Sequence, residues 1–141
     1  MILVDAGPFV APASPDDRHH EVCQRFLREP GDSLAASTLV IAEVGYLLKR
    51  APNPPRPEIA FLRLFGVGRV QALSPEPGDF DRMAELVGQY ANLDLGAADA
   101  SIVALAERLG INRIATVDRR DFAVVRPKHV PAFELLPDLG S

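Results

Sequence analysis

Apolar positions along the chain fall into two kinds of run. The short unbroken ones, "ILV" (2–4), "SLAAS" (33–37), "RVQAL" (69–73) and residues 112–117, are too brief for helices and predict buried strands. Longer stretches between them carry helical spacing. Val22, Phe26 and Leu27 line one side of residues 16–31, with Pro30 and Gly31 as the stop. Ser37 or Thr38 is placed to cap a helix running to about Arg50, and Pro57 suits the first turn of "PEIAFLRLFG". The four prolines of "APNPPRP" (51–57) make a stiff loop between these two. Two more helices are expected at 79–93, with Asp79 near its start, and at 97–109, ended by Gly110. "FAVV" (122–125) is a candidate fifth strand, and the tail from Pro131 an extended segment packed by Phe133, Leu135 and Leu136.

Short apolar strands separated by helices imply a parallel sheet covered on both faces. The expected fold is therefore a three-layer α/β/α domain with a central parallel sheet of four to five strands, one domain over residues 1–141.

Composition narrows the classes without naming one. Hydrophobic residues are 48% and charged residues 24%, a globular balance, and the net charge of −4 gives no overall attraction for nucleic acid. The cations are 13 Arg against 2 Lys. Two readings fit: Arg forks that grip phosphate bidentately, or the codon usage of a GC-rich genome. Cys23 is the single cysteine, which excludes an internal disulfide and fits a reducing cytoplasm. Its helical spacing to Phe26 and Leu27 marks it as a small core residue rather than a nucleophile. The longest charge-free apolar run, "SLAASTLVIA" (33–42), is half a membrane span, so a cytoplasmic protein with no membrane partner is expected.

The chemistry lies in acids at odd places. Asp5 ends the first strand and Asp118 the fourth, and in a parallel sheet both positions lie on the ligand-binding edge. Glu43 has Leu39, Val40, Tyr46 and Leu47 as helical neighbours, and Asp99 has Ile102 and Val103, so both are expected on apolar, buried faces near the same edge. Singly, each has an ordinary reading as a cap or a dipole partner. Together they repel: two unit charges near 4 Å cost about 4 kcal/mol at an effective dielectric of 20. A cation among them relieves this, and oxygen-only donors without His or Cys select Mg²⁺ or Mn²⁺ over zinc. "HHE" (19–21) is a poor metal site, because adjacent histidines point to different sides of a helix. No Walker loop, dinucleotide fingerprint or nucleophile elbow is present, and Lys49 and Lys128 are misplaced for a phosphoacceptor domain.

The stretches "LVDAG", "TLVIAEV" (38–44), "DLGAADASIVALAERLG" (94–110) and "IATVDRRDF" (114–122), in this order, resemble a PIN-domain ribonuclease, and more narrowly the toxin of a VapBC-type toxin–antitoxin pair. The resemblance covers nearly the whole chain, the tail included. It implies an acidic catalytic quartet of Asp5, Glu43, Asp99 and Asp118, with Thr116 as the hydroxyl preceding the last acid. The chain departs from many members in having Ala6 and Gly7 where Ser or Thr follows the first Asp. Metal-dependent hydrolysis of an RNA phosphodiester follows, with Mg²⁺ or Mn²⁺ held by Asp5, Asp99 and Asp118, of which Asp5 and Asp99 are expected as direct ligands. Glu43 and Asp118 are then expected to hold metal-bound waters, to position the attacking one, or to complete a second ion site. Asp121 is read either as an outer acid or as a turn cap, and Asp94 as loop or cap. Arg119 and Arg120 stand either as grips for flanking phosphates or as solvated turn charges. The implied partners are an RNA substrate and a cognate antitoxin, in a homodimer or a hetero-oligomer. A module that binds without cleaving is the alternative. The apolar segments 44–48 and 59–65 fit a partner groove or dimer face, or plain core packing.

Overall fold

Five parallel strands, β1 (Ile2–Val4), β2 (Leu34–Ser37), β3 (Val70–Leu73), β4 (Arg113–Ala115) and β5 (Glu134–Leu136), pair in the order β3-β2-β1-β4-β5. The computed structural model describes residues 1–140. β1 is central and wholly buried, which is why "ILV" shows no alternation. Its register sets Leu3 opposite Ala35 on one side and Ile114 on the other.

Among the described residues seven α-helices cover the sheet: α1 (Ala6–Val10), α2 (His20–Arg28), α3 (Thr38–Leu48), α4 (Arg56–Gly66), α5 (Pro77–Gln89), α6 (Ala97–Leu109) and α7 (Arg119–Val124). Right-handed crossovers with this strand order put α1–α4 on one face and α5–α7 on the other, giving the expected three layers. No helix is long and apolar enough to cross a membrane, among the described residues.

Two local expectations need correction. Residues 122–125 are not a strand. They close α7, where Phe122 and Val125 are buried at a helical spacing of three while Val124 is exposed. The fifth strand comes instead from the tail, at Glu134–Leu136, too short for its pattern to declare it. Residues 6–10, for which the pattern predicts no element, form α1, which tolerates Pro8 because a first-turn residue needs no N–H partner. Asp94 takes a left-handed conformation, φ 57°, as the cap of a 3₁₀ turn.

The apolar segments divide between core and surface. Val44, Leu48 and Phe61 are buried, with Phe61 packed edge-on to Phe9 and Phe65, while Tyr46, Ile59 and Leu62 are exposed. Cys23 is fully buried, and burial pushes its thiol up to about 11.

Candidate active site

The strand order reverses direction between β1 and β4. Chain leaving β1 turns to one side of the sheet and chain leaving β4 to the other, so a crevice opens between their C-terminal ends. Asp5 follows β1 there and Asp118 follows β4. The Asp5 backbone N–H donates to the Ala115 carbonyl at 2.8 Å, carrying the strand pairing up to the acid itself.

Asp5 is 9% exposed and has no cationic partner among the described residues. Its Oδ2 accepts from the fully buried Thr116 hydroxyl at 3.0 Å. That hydroxyl also lies 3.1 Å from the Asp118 carbonyl, so Thr116 joins the two strand tips. Burial raises the Asp5 pKa and the charge of Asp118 adds to it, against the Ala6 N–H and the Thr116 hydroxyl, which lower it. Asp99, in the first turn of α6, is pushed up to about 7, first by burial and then by the charges of Asp5, Glu43 and Asp121. Glu43 is raised by desolvation and by Asp5. These mutual effects run through all five acids, so Asp5, Glu43, Asp99, Asp118 and Asp121 share one edge.

The arrangement differs from expectation in two respects. Glu43 is exposed rather than buried: α3 buries Val40, Val44, Gly45 and Leu48, and Glu43 stands at the rim of that stripe. Asp118 is exposed too. No three Asp, Glu, His or Cys side chains stand at metal-ligand spacing among the described residues. The acids converge within reach of one another's charge without any three of them standing at ligand spacing. The donor chemistry nevertheless fits a hard divalent cation: oxygen donors only, carboxyls whose pKa values rise first through burial and then through one another's charge, and no Lys or Arg paired to Asp5, Glu43, Asp99 or Asp118 among the described residues.

The two arginines of the turn part company. Arg119 is turned inward, its Nε donating to the Thr116 carbonyl at 3.1 Å and its NH2 to the Pro137 carbonyl. It staples the Thr116–Asp118 turn to the tail. Arg120 is 79% exposed at its side chain, with only a 3.5 Å contact to Asp121.

Two supports had little voice in the sequence. Leu39 N–H donates to Ser37 Oγ, Ser37 donates to Ser101 Oγ at 2.7 Å, and Ser101 donates to the Ala98 carbonyl at 2.6 Å. Both hydroxyls are fully buried. This chain pins the start of α3, which carries Glu43, to the first turns of α6, which carry Asp99. A serine inside the apolar run "ASIVALA" was the available signal. Gly7 is the second: a Cβ there would sit 2.3 Å from Val117 Cγ2. The helix after Asp5 thus lies directly against the strand tip that leads to Asp118, and only glycine permits that approach.

Comparison with known proteins bears on the fold and the family. The chain is 27% identical over 136 residues to ribonuclease VapC26 of Mycobacterium tuberculosis strain H37Rv, covering 96% of this chain and 100% of that protein. Its fold is similar to the crystal structure of VapC20 from Mycobacterium tuberculosis, described as a sarcin-ricin-loop-cleaving toxin, with a TM-score of 0.75, 18% identity, and coverage of 85% of this chain and 92% of that one. A family model described as PIN domain matches residues 2–127, nearly the whole chain, and the chain belongs to the PIN-domain family.

Proposed function

We propose that this protein is a divalent-metal-dependent endoribonuclease that hydrolyses RNA phosphodiester bonds, acting as the toxin of a VapBC-like toxin–antitoxin pair. One observation carries the reading: acids without cationic partners gather at the switch point of a parallel sheet, in a fold whose curated relative is a ribonuclease. Asp5, Asp99 and Asp118 are the residues to hold Mg²⁺ or Mn²⁺, with Asp5 and Asp99 as direct ligands. When bound, the ion supplies positive charge beside the phosphate and makes water a better nucleophile.

The protein's own groups do the rest. Thr116 fixes one oxygen of Asp5 by hydrogen bonding and so orients the carboxyl. Asp99 supplies a carboxyl whose pKa burial and the neighbouring acids hold up at about 7. Glu43, exposed at the crevice rim, orients the attacking water, and Asp121 adds outer negative charge. Arg120 is free to meet a flanking phosphate, whereas Arg119 positions the turn. An antitoxin peptide has an apolar groove of about 420 Å³ available between α1, α2 and α4, lined by Phe9, Leu27, Leu48, Phe61 and Leu64.

Purified protein incubated with total RNA in Mn²⁺, in Mg²⁺ and in EDTA tests the reading, beside the Asp5→Asn variant. Discrete fragments that require both metal and Asp5 are expected. Folded protein that cleaves nothing in either metal would favour a binding module instead.

A further inference from the structure

The exposed face of α3 carries an aromatic side chain whose exposure the core does not explain. Tyr46 is 59% exposed, the most open aromatic of the large exposed hydrophobics, and it lies three residues after Glu43 on the same helix. Residues at that spacing have Cβ atoms about 5–6 Å apart, and helical side chains lean toward the N-terminus. That spacing sets Tyr46 beside the exposed Glu43 on the outer surface of α3. Arg50, one turn further on, places its guanidinium carbon 5.1 Å from the ring centroid and donates from NH2 to the Tyr46 hydroxyl at 2.9 Å. Arg50 is itself exposed and has no carboxylate partner among the described residues.

We propose that Tyr46 and Arg50 form a nucleotide subsite, in which a single-stranded RNA base beside the scissile phosphate stacks on the tyrosine ring and Arg50 meets the adjoining phosphate. This deepens the nuclease reading and rests on it. Base stacking on an exposed aromatic is tolerant of sequence and strong in unpaired RNA. The partial hold by Arg50 keeps the ring in one orientation, which lowers the ordering cost of stacking. A phosphate also balances the Arg50 charge, and Lys49 does not compete, since it is engaged by Glu58 at 2.9 Å. The acids repel the RNA backbone in the absence of metal, so a neutral stacking contact with a cation behind it is the form of grip this rim allows.

A fluorescein-labelled single-stranded RNA of mixed sequence, bound to the Asp99→Asn protein in Mg²⁺, reads the subsite without cleavage. Adding Tyr46→Ala is expected to raise the Kd about tenfold, whereas Tyr46→Phe, which keeps the ring, stays within about twofold. Arg50→Ala is expected to reduce the slope of log Kd against log salt by about one phosphate contact. In the cleaving protein, Tyr46→Ala raises KM and leaves kcat within about twofold. An unchanged Kd with Tyr46→Ala, or an equal loss with Tyr46→Phe, overturns the proposal. So does conversion of a dimer to a monomer by Tyr46→Ala at unchanged RNA affinity, which assigns the face to a protein contact. Tyr46 is exposed, so the melting temperature is expected to hold; should Tyr46→Ala lower it, Tyr46→His supplies the stacking ring in its place. Absence of cleavage by the parent protein would remove the nuclease reading while leaving the binding comparison legible.

Discussion

Two sets of acids in this molecule live under opposite conditions. On the flank of α5 and α6, Asp79 has only 5% of its side chain exposed, yet it accepts from Arg108 at 2.9 Å and closes a reciprocal capping box with Glu76. Beside it, Arg82 grips both oxygens of Glu107 at 2.7 and 3.0 Å, and the Lys128 N–H completes the shell at 2.8 Å. At the strand edge, Asp5 is similarly buried, but its partners are the Thr116 hydroxyl, the Ala6 N–H and other acids. Burial of a carboxylate is thus common to both regions. What separates the two regions is the cationic partner, present beside Asp79 and Glu107 and absent, among the described residues, beside Asp5.

Exchanging one acid in each region gives the largest contrast. Asp99→Asn is expected to lower metal-dependent RNA cleavage by about 100-fold or more. Because it relieves repulsion, the same change should raise the metal-free melting temperature by about 3 °C. Asp79→Ala should do the reverse, lowering stability by about 2 kcal/mol, or about 7 °C, while the folded fraction still cleaves. Calorimetry and a fluorogenic RNA assay read both. A loss of stability with Asp99→Asn would place it among the structural acids.

Gly7→Ala comes next. Its methyl group must displace Val117, at a cost of about 2 kcal/mol, and cleavage is expected to drop about tenfold as the Thr116–Asp118 turn moves. Ser101→Ala is milder: about 1 kcal/mol of stability and a few-fold loss in kcat, with more metal needed for half-maximal rate because Glu43 and Asp99 are less firmly spaced. An unchanged metal requirement would show the serine pair to be core packing alone.

The pH response is the gentlest. Asp99 binds its proton up to about pH 7 in the native state and only to about 3.8 when unfolded. Between those values the native state holds more protons, so metal-free stability falls as pH rises across that window and levels off above it. Asp5 and Glu43 are raised and act in the same direction. Asp32, held down to about 2 chiefly by the N-terminal ammonium, acts oppositely, its contribution being lost only as the pH falls toward 2. Melting temperatures of metal-free protein from pH 5 to pH 8 should therefore decline, and added Mg²⁺ should flatten the decline.

The sequence made the edge acids legible because strand tips and helix starts announce themselves through apolar runs that stop at Asp5 and Asp118. It spoke less well where one local pattern fits two structures. "FAVV" satisfies a strand by composition and α7 by the burial of Phe122 and Val125, and tertiary packing decides. Glu43 was misplaced inward because nearly every neighbour on α3 is apolar, so periodicity could not say which side faces the sheet. Arg119 and Arg120 are identical in sequence terms, and only the tail, 18 residues on at Pro137, distinguishes them.

The most direct test of the unmatched acids is a thermal titration of metal-free protein with Mn²⁺ at pH 7.5, comparing the parent chain with Asp99→Asn. The parent should melt lower without metal and gain stability steadily as Mn²⁺ rises, while Asp99→Asn starts higher and gains little. Parallel curves for the two proteins would contradict the assignment of the strand edge as the metal centre.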